Sequence, residues 1–317
     1  FQWLSNSHCL GARQLQLILT DEQGMKNTIL YTSDIGSLNN KNHYVDDTEI
    51  PTMYNKYVIM ESTYGEKGRV NKKTREFDIE HLRVAIDTVM ERNGTILLPC
   101  FSYSRTQEIL TILYGIYGKH KNFKHKVVVD SKLSCEISDI YGQVLSGDDL
   151  KLWKQVSSWE NVEFITDKET STACVKSKVP KIVISSSGFC TNGRILSYLQ
   201  EYLKDENSMV IFSGFVGNNS SYLSYRIKNN KDNKTINVNK IPVANNADCI
   251  NMSTFSSHAN RDELIEFGSS VNCEKLILVH GSEAAKNDLA EDLKSAISKK
   301  DKTHTVKCST KDMVVHF

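Results

Sequence analysis

TILLPCFSYSRTQEILTILYGIYG, residues 95–118, decides the fold. Its opening TILLPCF is a short apolar run bounded by turn-forming residues and reads as a strand. RTQEILTILYGIYG, from Arg105, reads as the helix that follows. Upstream, TREFDIEHLRVAIDTVMERN (74–93) places Phe77, Leu82, Ile86, Val89 and Met90 on one helical face, with Gly94 as its stop. Downstream, strand HKVVVDS leads into helix LSCEISDIYGQVL. This β-α-β-α order predicts an α/β protein with a mostly parallel sheet flanked by helices.

The same rhythm extends outward. LQLILT and TILYTS, joined by a turn at Asp21 to Gly24, predict a hairpin near the start. Residues 146–179 are polar, hold two of the three Trp residues, and are expected to wrap the outside of the sheet. Alternation resumes with KIVISSSG, ILSYLQEYLKD, MVIFSGF and SSYLSYRI. KNNKDNKTINVNK (228–240) reads as a loop or domain boundary. CINMSTF, NRDELIEFGSSV, KLILVH and EAAKNDLAEDLKSAISK follow, and KDMVVHF (311–317) is expected to close the sheet.

Composition limits the function classes. In 317 residues, 39% hydrophobic and 24% charged content describe an ordinary globular protein with core enough for about two domains. A net charge of +1 gives no global basicity of the kind that marks nucleic-acid binding, though a local basic groove fits inside a neutral total. Eight cysteines without a C-x-x-C read as reduced, mostly buried thiols. No signal segment and no membrane-length apolar run occur, so a soluble, cytoplasmic chain is expected.

Five residues stand out. Asp34, Glu61 and His280 each close an apolar strand-like run, His258 follows another, and His8 precedes LQLILT. Polar groups at strand carboxyl ends are where α/β enzymes gather their chemistry. Singly, each is more often a turn, cap or hydrogen-bonded structural residue.

TSD at Asp34, ESTYG at Glu61, LPCFSYSRTQE (98–108), SSSGFCTNGR (185–194), FSSHAN at His258 and LVHGS at His280 occur in a distinctive order. Together they resemble the β-CASP branch of the metallo-β-lactamase fold, over nearly the whole chain from His8 to about Lys299. The resemblance implies a partial metallo-β-lactamase αββα domain interrupted by an inserted α/β β-CASP domain. Residues 1–65 and 246–317 would belong to the first and 66–245 to the second. It implies a zinc-dependent ribonuclease that hydrolyses phosphodiester bonds of single-stranded RNA in processing or decay. Asp34 resembles the bridging metal ligand, and His8 and His280 resemble ligands of the two zinc ions of a complete site. Glu61 and His258 resemble the acid pair, which together with Asp34 would make up the catalytic set. His280 favours RNA over DNA, since RNA-acting members carry His there.

For substrate, Arg105 would reach a phosphate, and Ser187, Gly188 and Arg194 in SSSGFCTNGR would cradle one, with Ser257 beside them. An ordinary strand-to-helix turn is the equal alternative for that loop. Lys72, Lys73, Lys119, Lys121, Lys124 and Lys126 read as solvated. RNA is the implied partner, with a homodimer or an RNA-processing complex as the assembly and no membrane.

Four departures qualify the resemblance. No His-x-His-x-Asp-His, the family's source of four metal ligands, occurs in the sequence. The chain is therefore expected to begin inside the first domain, to hold at most a partial zinc site, and to be inactive or nearly so by itself. Ser33 stands where Gly is usual, Asn260 where Asp is usual, and Ser282 where Glu is usual. The last two are expected to loosen the support of the site. A non-catalytic scaffold that binds RNA or a nuclease, and a DNA-directed nuclease of the same fold, are the alternatives.

Overall fold

The computed structural model describes residues 1–68, 73–229, 235–300, 302–311 and 313. The chain divides into two compact units, residues 1–72 with 257–317 and residues 73–256.

The first unit is built on β1 (Gln2–Ser5), β2 (Arg13–Thr20), β3 (Lys26–Tyr31), β4 (Asn55–Glu61), β13 (Cys273–Val279) and β14 (Thr305–Cys308), hydrogen-bonded in the order β1-β2-β3-β4-β13-β14. The predicted hairpin is β2–β3, paired antiparallel from Leu15↔Tyr31 to Thr20↔Lys26. From β3 onward the strands run parallel, and Glu61 pairs with Val279 at the carboxyl ends of β4 and β13. Strand alternation sends Leu30, Val58, Met60, Leu276 and Leu278 to one face. There they pack with Leu264, Phe267, Leu289 and Leu293 of helices α8 (Arg261–Ser270) and α9 (Glu283–Lys299). Ile29, Tyr57 and Ile277 make a smaller cluster on the other face. The expected strand KDMVVHF falls on residues 312 and 314–317, outside the described residues.

The second unit holds β5 (Ile96–Pro99), β6 (Lys126–Asp130), β7 (Val162–Ile165), β8 (Lys181–Ser185), β9 (Met209–Phe212) and β12 (Asp248–Asn251). Their order is β12-β9-β5-β8-β6-β7, and every pairing is parallel. Parallel sheets bury both faces, which is why these strands read as unbroken apolar runs. Leu97, Val183, Val210 and Phe212 pack on Tyr198, Leu199 and Tyr202 of α6 (Ile195–Tyr202) and Ile227 of α7 (Leu223–Asn229). Ile96, Leu98, Ile182, Ile184 and Ile211 alternate to the other side and are fully buried as well.

Helix α1 (Arg75–Glu91) forms where the periodicity placed it, capped by Thr74, whose hydroxyl accepts from the Phe77 amide. Phe77 was expected on its apolar face but is 55% exposed. One turn before Leu82 the inward position belongs instead to Asp78, fully buried, whose carboxylate accepts from the amide (3.1 Å) and hydroxyl (2.8 Å) of Thr254. The two ends of the second unit are thereby pinned together. At the other end of the helix Asn93 takes the left-handed conformation (φ 58°), and Gly94 is needed for space, since a Cβ there would sit 1.8 Å from the Asn207 carbonyl.

Two expectations fail here. Residues 146–179 do not merely wrap the sheet: between α4 (Gly147–Ser157) and α5 (Lys168–Lys176), VEFI forms the edge strand β7. In KNNKDNKTINVNK, residues 230–234 lie outside the described set, but Thr235–Val238 is strand β10, paired with β11 (Ile241–Ala244). Asn239 and Lys240 turn that hairpin with positive φ (51° and 67°). Helices α2 (Arg105–Tyr117) and α3 (Lys132–Val144) occupy their predicted segments. All eight cysteines are free thiols, and among the described residues no helix is long and apolar enough to cross a membrane.

Candidate active site

In the first unit, His8, Asp34, Glu61, His258 and His280 converge at the carboxyl ends of β3, β4 and β13. His8 lies in the turn after β1, Asp34 after β3, and Glu61 ends β4; His258 precedes α8, and His280 follows β13. Tight backbone holds them there. Asn6, fully buried, donates through Nδ2 to the carbonyls of Thr32 (3.1 Å) and Asp34 (2.8 Å), while its Oδ1 accepts from the amides of His8 and Gly36 (3.1 Å each). One amide side chain thus sets the spacing of the His8 and Asp34 segments. Gly36 passes so close to Ser7 that a Cβ would lie 2.1 Å from its carbonyl carbon.

Glu61 is the buried charge of the site, 1% exposed. Its Oε1 accepts from the Ile35 amide (2.7 Å) and pairs with His258 Nδ1 (3.1 Å), and Oε2 accepts from the Thr63 amide (3.0 Å). Burial alone would raise its pKa, yet the hydrogen bond and charge of His258 and the Thr63 bonds hold the carboxyl below the ordinary glutamate value. The carboxylate thus ties down Nδ1 of His258. Its ring lies 4.6 Å from that of His8 and 6.2 Å from that of His280.

Two more histidines face Asp34. His280 Nδ1 stands 3.0 Å from Oδ1, and His8 Nε2 stands 3.9 Å from Oδ2, too far for a hydrogen bond. Ligand atoms of one tetrahedral zinc lie about 3.3 Å apart, given zinc–nitrogen and zinc–oxygen bonds of about 2.0–2.1 Å. Ligand atoms of His8, Asp34 and His258 all fall within 4.8 Å of one another, so among the described residues the third member of the group that could hold a metal ion is His258 and not the expected His280. Imidazoles with a carboxylate are donors that suit zinc. Burial, reinforced by the neighbouring His258, holds the His8 pKa below the ordinary histidine value against the pull of Asp34 and Glu61, and so favours the neutral, ligating imidazole. Thr63 hydrogen-bonds His280 at both Nδ1 and the carbonyl, each 3.2 Å.

Backbone strain collects at the same place. Ser33 (φ 56°) and His280 (φ 49°) both occupy the left-handed region. For Ser33 this accounts for the glycine usual at that position. The other departures have structural answers. Asn260 caps α8 in a full capping box with Glu263, doing there what Asp would do. Ser282 caps α9 through the Ala285 amide and donates to Glu66. Glu263 does more than cap: Oε1 accepts from the Ser37 hydroxyl (2.6 Å) and the amides of Leu38 and Asn39 (2.9 Å each), anchoring the segment after Asp34. Asn6, Thr63 and Glu263 had escaped sequence reading.

The substrate residues fall in two places. Ser257, in the first unit, accepts from Asn42 Nδ2 at 3.2 Å. Arg105, Ser187, Gly188 and Arg194 lie at the carboxyl edge of the second unit's sheet. Arg105 is buried, donating to the Ser213 carbonyl. Arg194 pairs with the fully buried Asp130 (2.6 Å) and donates to the carbonyls of Ile165 and Thr166. Ser187 Oγ accepts from the amides of Thr191 and Asn192, closing its own turn. Gly188 lies under the Phe101 ring.

Residues 106–221 match the profile of the Beta-Casp domain, and residues 242–307 that of the Zn-dependent metallo-hydrolase RNA specificity domain. The chain is 26% identical to Ribonuclease TTHA0252 of Thermus thermophilus over 267 residues, 82% of this chain and 59% of the relative. It is 28% identical to RNase aCSPSF2 of Saccharolobus solfataricus, covering 86% and 51%. With Endoribonuclease YSH1 of Kluyveromyces lactis it shares 24% identity, covering 86% and 35%. The chain therefore spans only 35–59% of the length of these relatives.

Proposed function

We propose, from the premise that this chain belongs to the β-CASP family of metallo-β-lactamase-fold nucleases, that it serves zinc-dependent hydrolysis of phosphodiester bonds in single-stranded RNA. The observation that carries the reading is the buried Glu61 carboxylate, fixed by two backbone amides and bonded to His258 Nδ1. That contact orients the ring so that protonated Nε2 can deliver a proton to the leaving oxygen of a phosphodiester. His8, Asp34 and His280 would hold metal, with Asp34 offering one oxygen to each side. Bound zinc would supply an activated water and neutralise developing charge on the phosphate. The relatives' names support RNA as the substrate.

These 317 residues contain no His-x-His-x-Asp-His, so by themselves they offer at most part of a two-zinc site. We expect the isolated chain to bind zinc substoichiometrically and to cut RNA barely, if at all. A chain that joins these residues to such a segment should bind two zinc ions and cut single-stranded RNA in preference to matched DNA. Chelation should abolish the cleavage, as should His258→Ala. Equal cleavage of both strands would make it a DNA-capable nuclease, and RNA binding with no zinc uptake would leave a scaffold.

A further inference from the structure

The loop from α2 into β6 reads Lys119-His120-Lys121-Asn122-Phe123-Lys124-His125-Lys126, four lysines and two histidines in eight residues. Sequence alone gives it the bland reading of a solvated face; its surroundings say otherwise. Lys119, Lys121 and Lys124 are exposed, and among the described residues none has a carboxylate within ion-pairing distance. The nearby acids are largely engaged: Arg83 pairs with Glu80 and Asp87, and Asp87 also accepts from the Tyr117 hydroxyl.

The loop is held rigid. Phe123 stacks on Tyr117 at 4.0 Å and 18° and lies nearly parallel to Trp159 at 5.9 Å. Asn161, buried, donates to the carbonyls of both Phe123 (3.1 Å) and His125 (3.0 Å), and the His120 and Phe123 amides close successive turns. A fixed loop spares the ordering entropy that usually weakens exposed lysine contacts. Beside it opens a cleft of about 400 Å³ lined by His120, Asn122, Phe123 and His125 together with Arg83, Asp87 and Glu91. The loop sits at the amino edge of the second unit's parallel sheet, whereas Arg105, Ser187 and Arg194 lie at the carboxyl edge. The five residues of β6 separate the two edges by roughly 17 Å, at about 3.3 Å per residue.

We propose that this loop is a second contact for single-stranded RNA, with Lys119, Lys121 and Lys124 on successive phosphates and an unstacked base in the cleft beside Phe123 and Asn122. The proposal rests on the RNA reading above. An acidic peptide would satisfy the lysines, but the Asp87 and Glu91 carboxylates lining the cleft would repel it, whereas the aromatic ring, imidazoles and amide there are groups that receive a flat, uncharged base.

The test is fluorescence anisotropy of a labelled single-stranded RNA against the whole chain over a salt series. Wild type is compared with K119Q/K121Q/K124Q and with K151Q/K154Q/K168Q, which removes three exposed lysines from α4 and α5. Each phosphate contact to a single strand contributes about 0.7 to the slope of log K against log salt, so the loop variant should lose about 2 from that slope. At 0.1 M salt this corresponds to on the order of a hundredfold in affinity. The control variant should keep both. Asn122→Ala should weaken binding several-fold with the slope unchanged. No RNA binding by wild type would sink the RNA reading and the proposal together. Binding by wild type with an unaltered slope in the loop variant would sink the proposal alone. A loop variant that loses affinity for polyglutamate but not RNA would assign the loop to an acidic protein and also overturn it.

Discussion

Replacing Glu61 by Gln exposes how the site is held. The carboxylate accepts from Ile35, Thr63 and His258, and a carboxamide can accept through one oxygen only. Its NH₂ must then face an amide N–H with no water to relieve the clash, because the side chain is 1% exposed. Hydrogen bonds to a buried charge contribute about 1.5–3 kcal/mol each, and a stranded donor costs about 1–3 kcal/mol. Loss of one such bond with partial retention of the others gives about 2–4 kcal/mol at pH 7, a large share of an ordinary stability of about 5–15 kcal/mol. Native-state hydrogen exchange of β4 and β13 peptides, in EDTA so that no metal competes, reads this locally. The pH dependence follows from the lowered carboxyl pKa. The wild-type advantage is full above the ordinary glutamate value of about 4.3. It fades as pH falls through the still lower folded-state value, where Glu61 becomes protonated and loses its acceptor role. Equal protection in both proteins at pH 7, or a difference that persists unchanged into strong acid, would refute the reasoning.

Further outcomes follow from the same geometry. Ser33→Gly relieves a left-handed serine and should stabilise by about 0.5–1 kcal/mol, net of the freedom glycine adds to the unfolded chain; a lower melting temperature would contradict it. Glu263→Ala strands the donors of Ser37, Leu38 and Asn39 and removes half of the α8 capping box, costing about 3–5 kcal/mol in urea unfolding. A loss under about 1 kcal/mol would show that the segment after Asp34 is held otherwise. Asp34→Ala should weaken zinc uptake by the chain more than about tenfold by calorimetric titration, and unchanged affinity would place the metal elsewhere.

What could be read from the sequence depended on how local the cause was. Val127 to Val129 and Ile182 to Ile184 announce buried parallel strands because both faces of such a sheet are covered. Asp34, Glu61 and His280 were visible because each ends an apolar run. VEFI was missed as strand because Val162 and Phe164 are only partly buried at a sheet edge and Glu163 breaks the run. Thr235–Val238 was missed because Ile236 and Val238 alone face inward, in a Lys- and Asn-rich setting that reads as loop. Asn6 belongs to a different class. It acts across some thirty residues of chain on Thr32, Asp34 and Gly36, and no local pattern marks a buried amide. Asn260 and Ser282 each cap a helix with a side-chain oxygen.

The Asp78–Thr254 clasp has a consequence for the order in which the protein assembles. All six sheet strands of the second unit come from residues 96–251, so that unit can form with nothing from outside it. The first unit cannot: β4 must wait for β13, and Glu61 finds Val279 only after more than two hundred intervening residues. Once Asp78 has gripped Thr254, most of that separation is already bridged, leaving about forty intervening residues to close. On a logarithmic closure cost this saves roughly 1.5 kcal/mol. During synthesis the interruption would then act as a chaperone built into the chain, holding the early strands' partner within reach. Breaking the clasp should slow the first unit's folding more than it weakens the finished fold.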